Sequence, residues 1–275
     1  MSTGQTAPEK LTTVRIVRKK AKGERIVCLT AYDYPSALIL DAAGVDLILV
    51  GDSAANVIYG MATTLTIGMD EMVYHTRAVA AGVKRALLVA DMPFLSYQVS
   101  IEQAVANAGR FLQAGAEAVK VEGGAPIAPV VKRLVELGIP VMGHLGLTPQ
   151  SVHKLGGYRL QARKTEDQER LLADARALAE AGCFSIVLEK VPAEVAKRVT
   201  AELAIPTIGI GAGPDCDGQV LVLHDMLGML DTPPLKFVKQ YAGLAAEVRK
   251  AVTAYAEEVR AGKFPDEAHT FHLDK

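Results

Sequence analysis

Three carboxylates lie at the ends of three successive β-branched runs. Asp52 follows the run DLILVG, Asp91 ends ALLVAD, and Glu122 lies near the end of EAVKVEG. Neighbouring strands of a parallel sheet are about 4.8 Å apart, so these side chains can converge within roughly 10 Å at one sheet edge. Three clustered anions repel unless a cation lies among them, and oxygen ligands favour Mg²⁺, with Mn²⁺ or Ca²⁺ behind it. Each aspartate could instead cap the next helix, but three in succession indicate a metal site.

Lys120 lies two residues before Glu122, so both side chains point to the same face of a strand. A lysine on a barrel strand can form a Schiff base with a carbonyl substrate, as in metal-free aldolases. The neighbouring carboxylates favour the protonated amine, which argues for electrostatic binding of a substrate carboxylate instead. A structural ion pair with Glu122 is equally compatible with the sequence.

Three further polar residues are candidates for binding or catalysis. Glu189 ends the run SIVLE, outside the proposed metal cluster. A carboxylate beside an apolar wall can act as a general base, although an isolated strand-end glutamate more commonly pairs with a lysine, here Lys190. His144 is either a hydrogen-bond donor to the substrate or a buried structural residue. Ser53 either orients a substrate carboxylate or caps a helix, and the sequence leaves both alternatives open.

Two glycine-bearing segments are also candidates for a role at the site. The backbone N–H groups of 209–218, GIGAGPDCDG, could bind an anion, as in the phosphate sites of many barrels, or the segment could simply turn the chain. The segment 144–158 is either a lid over the strand ends or a turn-rich connection.

Eight short runs must position these residues, and most are apolar at successive positions. They occur at 25–30, 46–51, 86–91, 117–123, 140–146, 185–189, 207–211 and 219–225. Continuous apolar runs indicate parallel strands that are buried on both faces. Helical patterns separate several of the runs, and a longer one follows the last. They occur at 102–115, 169–182, 192–203 and 236–262.

The alternation of strands and helices without a linker predicts a parallel α/β fold. Eight runs in 275 residues, with no GxGxxG after the first, favour a closed (β/α)₈ TIM barrel over a doubly wound sheet. We predict a single barrel domain over 1–275, with an N-terminal helical segment at about 8–22. Barrels of this type carry their active sites at the C-terminal strand ends, where the candidate residues lie.

The composition argues against several classes of protein. Lys plus Arg is 30 and Asp plus Glu is 31, so the net charge is -1 and no basic excess is available to bind nucleic acid. No apolar run reaches the roughly 20 residues that span a bilayer, and the N-terminus lacks the apolar core of a signal peptide. Three scattered cysteines favour neither a disulfide framework nor a zinc site. We therefore expect a cytoplasmic protein with no nucleic-acid or membrane partner.

Longer stretches resemble the ketopantoate hydroxymethyltransferase family, also called the 3-methyl-2-oxobutanoate hydroxymethyltransferases. The matching segments are LTAYDYPSA, DLILVGDS, YHTRAV, VADMPFLSYQ, AVKVEGG, GIPVMGHLGLTPQSVHKLGGY, IPTIGIGAGPDCDGQVLVLHDMLG and KFVKQYA. They cover almost the whole chain, and GHLGLTPQS and GIGAGPDCDGQVLV are long and specific.

The resemblance implies a Mg²⁺-dependent barrel of the phosphoenolpyruvate/pyruvate group. It implies transfer of a hydroxymethyl group from the co-substrate 5,10-methylenetetrahydrofolate to 3-methyl-2-oxobutanoate, a 2-oxo acid. The product would be 2-dehydropantoate (ketopantoate), formed through a Mg²⁺-stabilised enolate in pantothenate and coenzyme A biosynthesis. The resemblance also implies a homo-oligomer, commonly a decamer.

Residue by residue, the resemblance implies that three carboxylates hold the metal: Asp52, Asp91 and Glu122. Asp52 and Asp91 would also lie against the substrate, and Ser53 and Lys120 would contact its carboxylate side. Glu189 would be the proton acceptor. The chain departs from the family pattern at 54–72, at QAR (161–163) and at LEK (188–190). We expect these differences to affect loop geometry, pterin affinity and turnover more than the type of reaction.

Three rival functions share some of these features. A Mg²⁺-dependent C–C lyase or mutase of the same barrel group would use the same kind of metal site to act on an oxaloacetate-like acid. It would typically need a reactive cysteine or an added acid on a mobile loop, and no cysteine here ends a strand suitably. A Schiff-base aldolase would use Lys120. A catalytically silent barrel that acts as an assembly subunit or binder need not keep its anions clustered.

Overall fold

The computed structural model describes residues 9–231 and 233–273 of the chain. The chain divides into two compact units, Met1–Leu223 and His224–Lys275, which are described separately. The eight strands lie in the first unit. The extent of the predicted single domain stays a prediction.

Eight parallel strands form a closed barrel in chain order. They are β1 Ile26–Thr30, β2 Leu47–Val50, β3 Leu87–Asp91, β4 Ala118–Glu122, β5 Val141–Gly146, β6 Ser185–Glu189, β7 Thr207–Ile210 and β8 Gly218–Leu221. The first seven lie within one residue of the predicted runs at each end. The predicted (β/α)₈ barrel is therefore confirmed.

Ten α-helices accompany the strands in the described residues. They are α1 Thr13–Ala21, α2 Tyr34–Ala42, α3 Ala54–Val57, α4 Met69–Ala80, α5 Ile101–Gln113, α6 Ala128–Glu136, α7 Thr165–Glu180, α8 Ala193–Glu202, α9 Leu223–Met226 and α10 Leu244–Arg260. The helices predicted between strands are confirmed as α5, α7 and α8. The helix α1 lies inside the segment predicted at about 8–22, whose first residue is outside the described residues. None of the described helices is both long and apolar enough to cross a membrane.

Two predicted element boundaries are wrong. The strand predicted at 219–225 ends at Leu221, because the chain turns there and the backbone N–H of Leu223 donates to Thr30 Oγ1 at 3.0 Å. The helix predicted at 236–262 begins only at Leu244. Gly243 is its N-cap residue, and a glycine within a helix would cost about 1 kcal/mol relative to alanine.

The connection from β7 to β8 contains no helix, unlike a regular (β/α)₈ repeat. Gly211 and Gly213 have φ values of 63° and 81°, which L-residues with side chains rarely adopt, and they allow the chain to reverse there. The guanidinium of Arg25 donates to the carbonyls of Pro214 and Cys216 in this segment. The glycine-rich segment thus forms a compact crossover, in keeping with the turn alternative.

The strand registers place the candidate residues on one side of the sheet. Asp91 pairs with Lys120, and Glu122 pairs with His144. Glu189 pairs with the residue two beyond His144 on β5. Paired residues, and residues two apart on one strand, point to the same face, so all five side chains face the barrel interior.

Apolar side chains fill the interior below these polar residues. On β3 to β6, the residue two positions before the candidate side chain also faces the interior, and it belongs to the hydrophobic core. These core residues are Val89, Ala118, Met142 and Val187. Ion pairs show that the helix α1 lies at the N-terminal ends of the strands. Lys19 and Lys20 pair with the acidic residues that come directly before β2 and β8. These pairs are Lys19–Asp46 at 3.3 Å and Lys20–Asp217 at 3.0 Å. The candidate residues therefore lie at the end of the barrel opposite α1.

We predict that Ile16→Ala lowers the free energy of unfolding by about 2–5 kcal/mol, because it leaves a cavity in a packed core. Ile16 of α1 is fully buried in that core. Urea unfolding of the purified protein would measure the change. The matched control is Val14→Ala on the same helix, where the side chain is 57% exposed and the effect should be small. Equal losses for the two variants would contradict the packing of α1 against the barrel.

Candidate active site

Four charged side chains from β2 to β4 are buried together at the C-terminal end of the barrel. Asp52, Asp91, Lys120 and Glu122 are between 3% and 5% exposed. The Lys120 ammonium lies 2.9 Å from Asp91 Oδ1 and 3.9 Å from Glu122 Oε1. The backbone N–H of Asp52 donates to Asp91 Oδ2 at 3.0 Å. The structure thus brings together the carboxylates that the sequence places on three strands, with the lysine among them.

The helix-capping alternative for the two aspartates does not match the observed hydrogen bonds. The side chain of Ser100 caps α5, and α3 has no side-chain cap bond at its N-cap, Ser53. Asp91 accepts from the backbone of Asp52, and Asp52 Oδ2 accepts from the Gln150 side chain at 2.9 Å. Both carboxylates are therefore held by partners inside the barrel mouth.

The carboxylates outnumber the buried lysine, and the pKa shifts follow from this imbalance. Burial, assisted by Asp91 and Glu122, raises the pKa of Asp52 to about 8. Burial also raises the pKa of Asp91, although Lys120 opposes the shift. Burial alone would lower the pKa of Lys120, but Asp91, Glu122 and Asp52 outweigh it and raise that pKa. Lys120 is therefore a charged ammonium, and its nearest partner is Asp91, not the Glu122 that the sequence offers.

The donor chemistry of the cluster fits a hard divalent cation. Asp91 and Glu122 each have one oxygen fixed by a backbone N–H, and Gln150 provides the donor to Glu122 Oε2 at 2.9 Å. Their other oxygens face charged or ionisable side chains: Asp91 Oδ1 lies 2.9 Å from the Lys120 ammonium, and Glu122 Oε1 lies 3.3 Å from His144 Nδ1. Three buried carboxylates carry more negative charge than one lysine balances, and carboxylates that bind metal are commonly anchored through one oxygen by a hydrogen bond.

The side chains do not form a ready-made metal cage in their present positions. No group of three or more His, Cys, Asp or Glu within residues 9–231 and 233–273 is arranged to hold a metal ion. The Lys120 ammonium occupies part of the space beside Asp91. The fit therefore depends on charge balance and on the carboxylate oxygens that no backbone N–H group holds. The residues that could hold a cation are Asp52, Asp91 and Glu122.

His144 connects the cluster to Glu189. Its Nδ1 lies 3.3 Å from Glu122 Oε1 and 3.1 Å from the Lys120 ammonium, and its Nε2 lies 3.3 Å from Glu189 Oε2. Burial and Lys120 oppose protonation, but the two carboxylates outweigh them and raise the pKa of His144 to about 9. Because both ring nitrogens face protein groups, these contacts favour the structural alternative for His144.

Glu189 lies at the rim of the site. Its side chain is 15% exposed, compared with 3% for Glu122, so it is open to an incoming molecule. Lys190, the alternative partner in the sequence, donates from Nζ to the carbonyl of Tyr158 at 3.0 Å. The His144 ring lies between Glu189 and Glu122, so it separates Glu189 from the three clustered carboxylates.

Ser53 is held by a buried tyrosine. The Oγ of Ser53 and the hydroxyl of Tyr32 are 2.8 Å apart, and Tyr32 is 2% exposed. A Cβ at Gly51 would lie 2.7 Å from Ser53 Oγ, so the glycine leaves room for the serine. The structure does not support the capping alternative for Ser53, because α3 has no side-chain cap bond.

Two buried polar residues of the site were missed by the sequence reasoning. Gln150 lies in a short 3₁₀ helix, Pro149–Ser151, after β5, and its Nε2 donates to Asp52 Oδ2 and to the carbonyl of Met92, both at 2.9 Å. The hydroxyl of Tyr97 lies 2.9 Å from Gln150 Oε1 and accepts from the backbone N–H of Glu122 at 2.9 Å. One feature of the sequence could have indicated Gln150: it is the only residue with a side-chain amide in GHLGLTPQS, a stretch specific to the family.

The predicted lid segment 144–158 begins as part of β5 and continues as an irregular loop toward α7. Gly156 and Gly157 have positive φ values of 68° and 106°. Burial, then Asp52, Glu189 and Glu122, raise the pKa of Tyr158. Gln150 of this segment donates to Asp52 and Glu122, so the segment borders the candidate site, and its closure stays a prediction.

Comparison with known proteins identifies close relatives over nearly the whole chain. The sequence model of a family described as ketopantoate hydroxymethyltransferase matches residues 10–267. A 3-methyl-2-oxobutanoate hydroxymethyltransferase of Moorella thermoacetica is 56% identical over 263 residues, covering 95% of this chain and 98% of that protein. One of Syntrophus aciditrophicus is 56% identical over 272 residues, covering 98% of this chain and 100% of that protein.

Similar solved structures share the barrel at low sequence identity. A phosphonopyruvate hydrolase in complex with oxalate and Mg²⁺ has a TM-score of 0.62 at 14% identity, covering 96% of this chain and 93% of that one. A 2,3-dimethylmalate lyase, described as a PEP mutase/isocitrate lyase superfamily member, has a TM-score of 0.60 at 18% identity, covering 94% and 91%. At this identity the likeness concerns the fold alone, and it agrees with the predicted (β/α)₈ barrel.

Proposed function

The chain belongs to the ketopantoate hydroxymethyltransferase family, and from this premise we propose that it transfers a hydroxymethyl group from 5,10-methylenetetrahydrofolate to 3-methyl-2-oxobutanoate. The product is 2-dehydropantoate, a precursor in pantothenate and coenzyme A biosynthesis. The observation that carries the proposal is the buried cluster of three carboxylates with Lys120 among them, together with a fourth carboxylate, Glu189, set apart beyond His144.

The clustered residues bind and orient the 2-oxo acid. The Lys120 ammonium is buried and charged, so it attracts the substrate's carboxylate side. The Ser53 hydroxyl, fixed by Tyr32, is a second polar contact for that side. Mg²⁺ held by Asp52, Asp91 and Glu122 would supply Lewis-acid stabilisation of the negative charge that develops on the substrate oxygen, an effect worth several kcal/mol.

Glu189 accepts the proton from C3 of the substrate in this proposal. The electron pair left on C3 forms a bond to the methylene carbon of the folate, and a water molecule supplies the hydroxyl oxygen of the new group. Both C–N bonds of the methylene carbon break, and the C3 proton and one proton of the water pass to the two folate nitrogens, so that tetrahydrofolate leaves. Folate carries the one-carbon unit, while the protein supplies position and charge. Glu189 is 15% exposed and is not one of the three carboxylates proposed to hold the cation. This supports the role, because the base must not be a metal ligand.

The rival lyase or mutase reaction has weaker support. The described cysteines are free, and Cys28, Cys183 and Cys216 are all buried. Burial raises the pKa of Cys183 to about 12, so its thiol is not activated.

The three free thiols also support a reducing, cytoplasmic location, which we propose for this protein. We propose in addition that the chain forms a homo-oligomer, a decamer as is common in the family.

Deuterium exchange at C3 of 3-methyl-2-oxobutanoate tests the proposed function directly. NMR in D₂O would follow the exchange with and without Mg²⁺, in the absence of folate. We expect Mg²⁺-dependent loss of the C3 proton signal and no exchange in excess chelator. Full exchange without any divalent cation, or none under all conditions, would contradict the proposal.

We predict that borohydride with substrate does not inactivate the enzyme, because Lys120 stays protonated between carboxylates. Mass spectrometry of the treated protein should therefore find no reduced adduct on Lys120. A control reaction with a known Schiff-base aldolase would show that the trapping conditions work. An adduct on Lys120 would instead indicate amine catalysis.

A further inference from the structure

We propose that Gln150 is a positioning residue for the cation site, one that fixes one oxygen of Asp52 and one of Glu122 so that their other oxygens stay available for a divalent cation. The inference rests on the proposed Mg²⁺ dependence, and it adds a residue that lies on none of the strands.

Gln150 contacts both carboxylates with separate groups. Its backbone N–H donates to Glu122 Oε2 at 2.9 Å, and its side-chain Nε2 donates to Asp52 Oδ2 at 2.9 Å. One residue therefore links the end of β2 to the end of β4. The remaining oxygen of Glu122, Oε1, faces the other buried groups of the cluster, 3.3 Å from His144 Nδ1 and 3.9 Å from the Lys120 ammonium. Carboxylates that bind metal are commonly held by an outer hydrogen bond of the kind that Gln150 supplies.

The side-chain amide of Gln150 has a single satisfactory orientation. Nε2 faces two acceptors, Asp52 Oδ2 and the Met92 carbonyl, while Oε1 faces two donors. These donors are the hydroxyl of Tyr97 at 2.9 Å and Nε2 of Gln98 at 3.1 Å. Turning the amide over would place acceptor against acceptor and donor against donor. Because Gln150 is 5% exposed, water cannot easily replace these partners.

Tyr97 stabilises the same arrangement through its hydroxyl, which contacts both the end of β4 and the Gln150 side chain. Its hydroxyl accepts from the backbone N–H of Glu122 at 2.9 Å. Its single proton faces two acceptors, Gln150 Oε1 at 2.9 Å and the Glu122 carbonyl at 3.1 Å, and Gln150 Oε1 is the nearer. The backbone of Glu122 and the amide of Gln150 are thus held by one hydroxyl. Outer groups of this kind commonly change metal affinity by about 10–100-fold when they are removed.

The test is the affinity for Mg²⁺, measured by isothermal titration calorimetry on the folate-free protein. We expect Gln150→Leu to weaken Mg²⁺ binding by about 10–100-fold. Tyr97→Phe keeps the ring and removes one hydrogen bond of the network, so it should weaken binding by about 2–10-fold. Raising the Mg²⁺ concentration should restore most of the C3 exchange rate in both variants, because the defect lies in cation affinity.

Gln161→Leu is the matched control. Gln161 lies in the same loop, but its Nε2 donates to the carbonyl of Arg159, so Mg²⁺ affinity should not change. If Gln150→Leu lowers the melting temperature of the Mg²⁺-free protein but binds Mg²⁺ as the wild type does, the role is structural and the inference is wrong. If Gln150→Leu does not fold, unchanged affinity in Tyr97→Phe overturns it equally. A wild-type protein that binds no Mg²⁺ would overturn the proposed cofactor and this inference together.

Discussion

Replacing Glu189 with glutamine should slow exchange of the C3 proton by about 10²–10⁴-fold, the usual contribution of a positioned base. The substitution keeps the size of the side chain and most of its hydrogen-bonding capacity, but the amide cannot accept the proton. Glu189 is the strand-end carboxylate that lies outside the Asp52, Asp91 and Glu122 cluster and keeps partial access to solvent. Binding of 3-methyl-2-oxobutanoate in the presence of Mg²⁺ should therefore remain.

The measurement is NMR-detected deuterium exchange on the variant, with calorimetry to confirm substrate binding. Glu194→Gln serves as the matched control, because Glu194 is exposed in the first turn of α8, and it should exchange at the wild-type rate. Exchange at the wild-type rate in Glu189→Gln would place the base elsewhere. His144 would then be the first residue to test, since its Nε2 faces Glu189 at 3.3 Å.

Asp52→Ala and Asp91→Ala should each abolish Mg²⁺-dependent exchange, a loss of about 10³-fold or more if the cation stabilises the developing charge by several kcal/mol. Calorimetry should find no Mg²⁺ binding in the concentration range that saturates the wild type. The fold of Asp52→Ala should persist, because burial and neighbouring carboxylates already raise the pKa of Asp52 to about 8, so that removing its charge relieves repulsion. Asp91→Ala removes the nearest partner of Lys120 and should be the less stable of the two variants, although Glu122 still lies 3.9 Å from the ammonium.

Circular dichroism and thermal melting of the Mg²⁺-free variants would verify the fold. The matched control is Asp215→Ala, an exposed aspartate in the β7–β8 connection, which should retain both Mg²⁺ binding and exchange. Full activity of either cluster variant, or of the wild type in excess chelator, would refute the assignment of these carboxylates to a metal.

The sequence alone determined the strands and the end of the barrel at which the chemistry lies. Apolar runs of four to six residues are a local property, so β1 to β7 could be predicted within one residue. Polar residues at the ends of such runs indicate the C-terminal face of a barrel. The two-residue spacing of Lys120 and Glu122 also predicted their shared face, since side chains alternate along a strand.

Strand register was decided only by the tertiary structure. Register pairs Lys120 with Asp91 on β3 and Glu122 with His144 on β5, so the lysine's nearest carboxylate is on another strand. No local pattern in the chain specifies which residues of two strands are opposite each other, because register depends on closure of the whole barrel.

The role of Gln150 also depended on tertiary structure, because its partner Asp52 is 98 positions away in the chain. A glutamine in an irregular loop has no periodicity that predicts a buried partner. The helix predicted to begin at 236 begins only at Leu244 for a similar reason. A periodic apolar pattern does not reveal that Gly243 becomes the N-cap of α10. Local patterns thus define elements, whereas contacts between distant residues decide how their side chains meet.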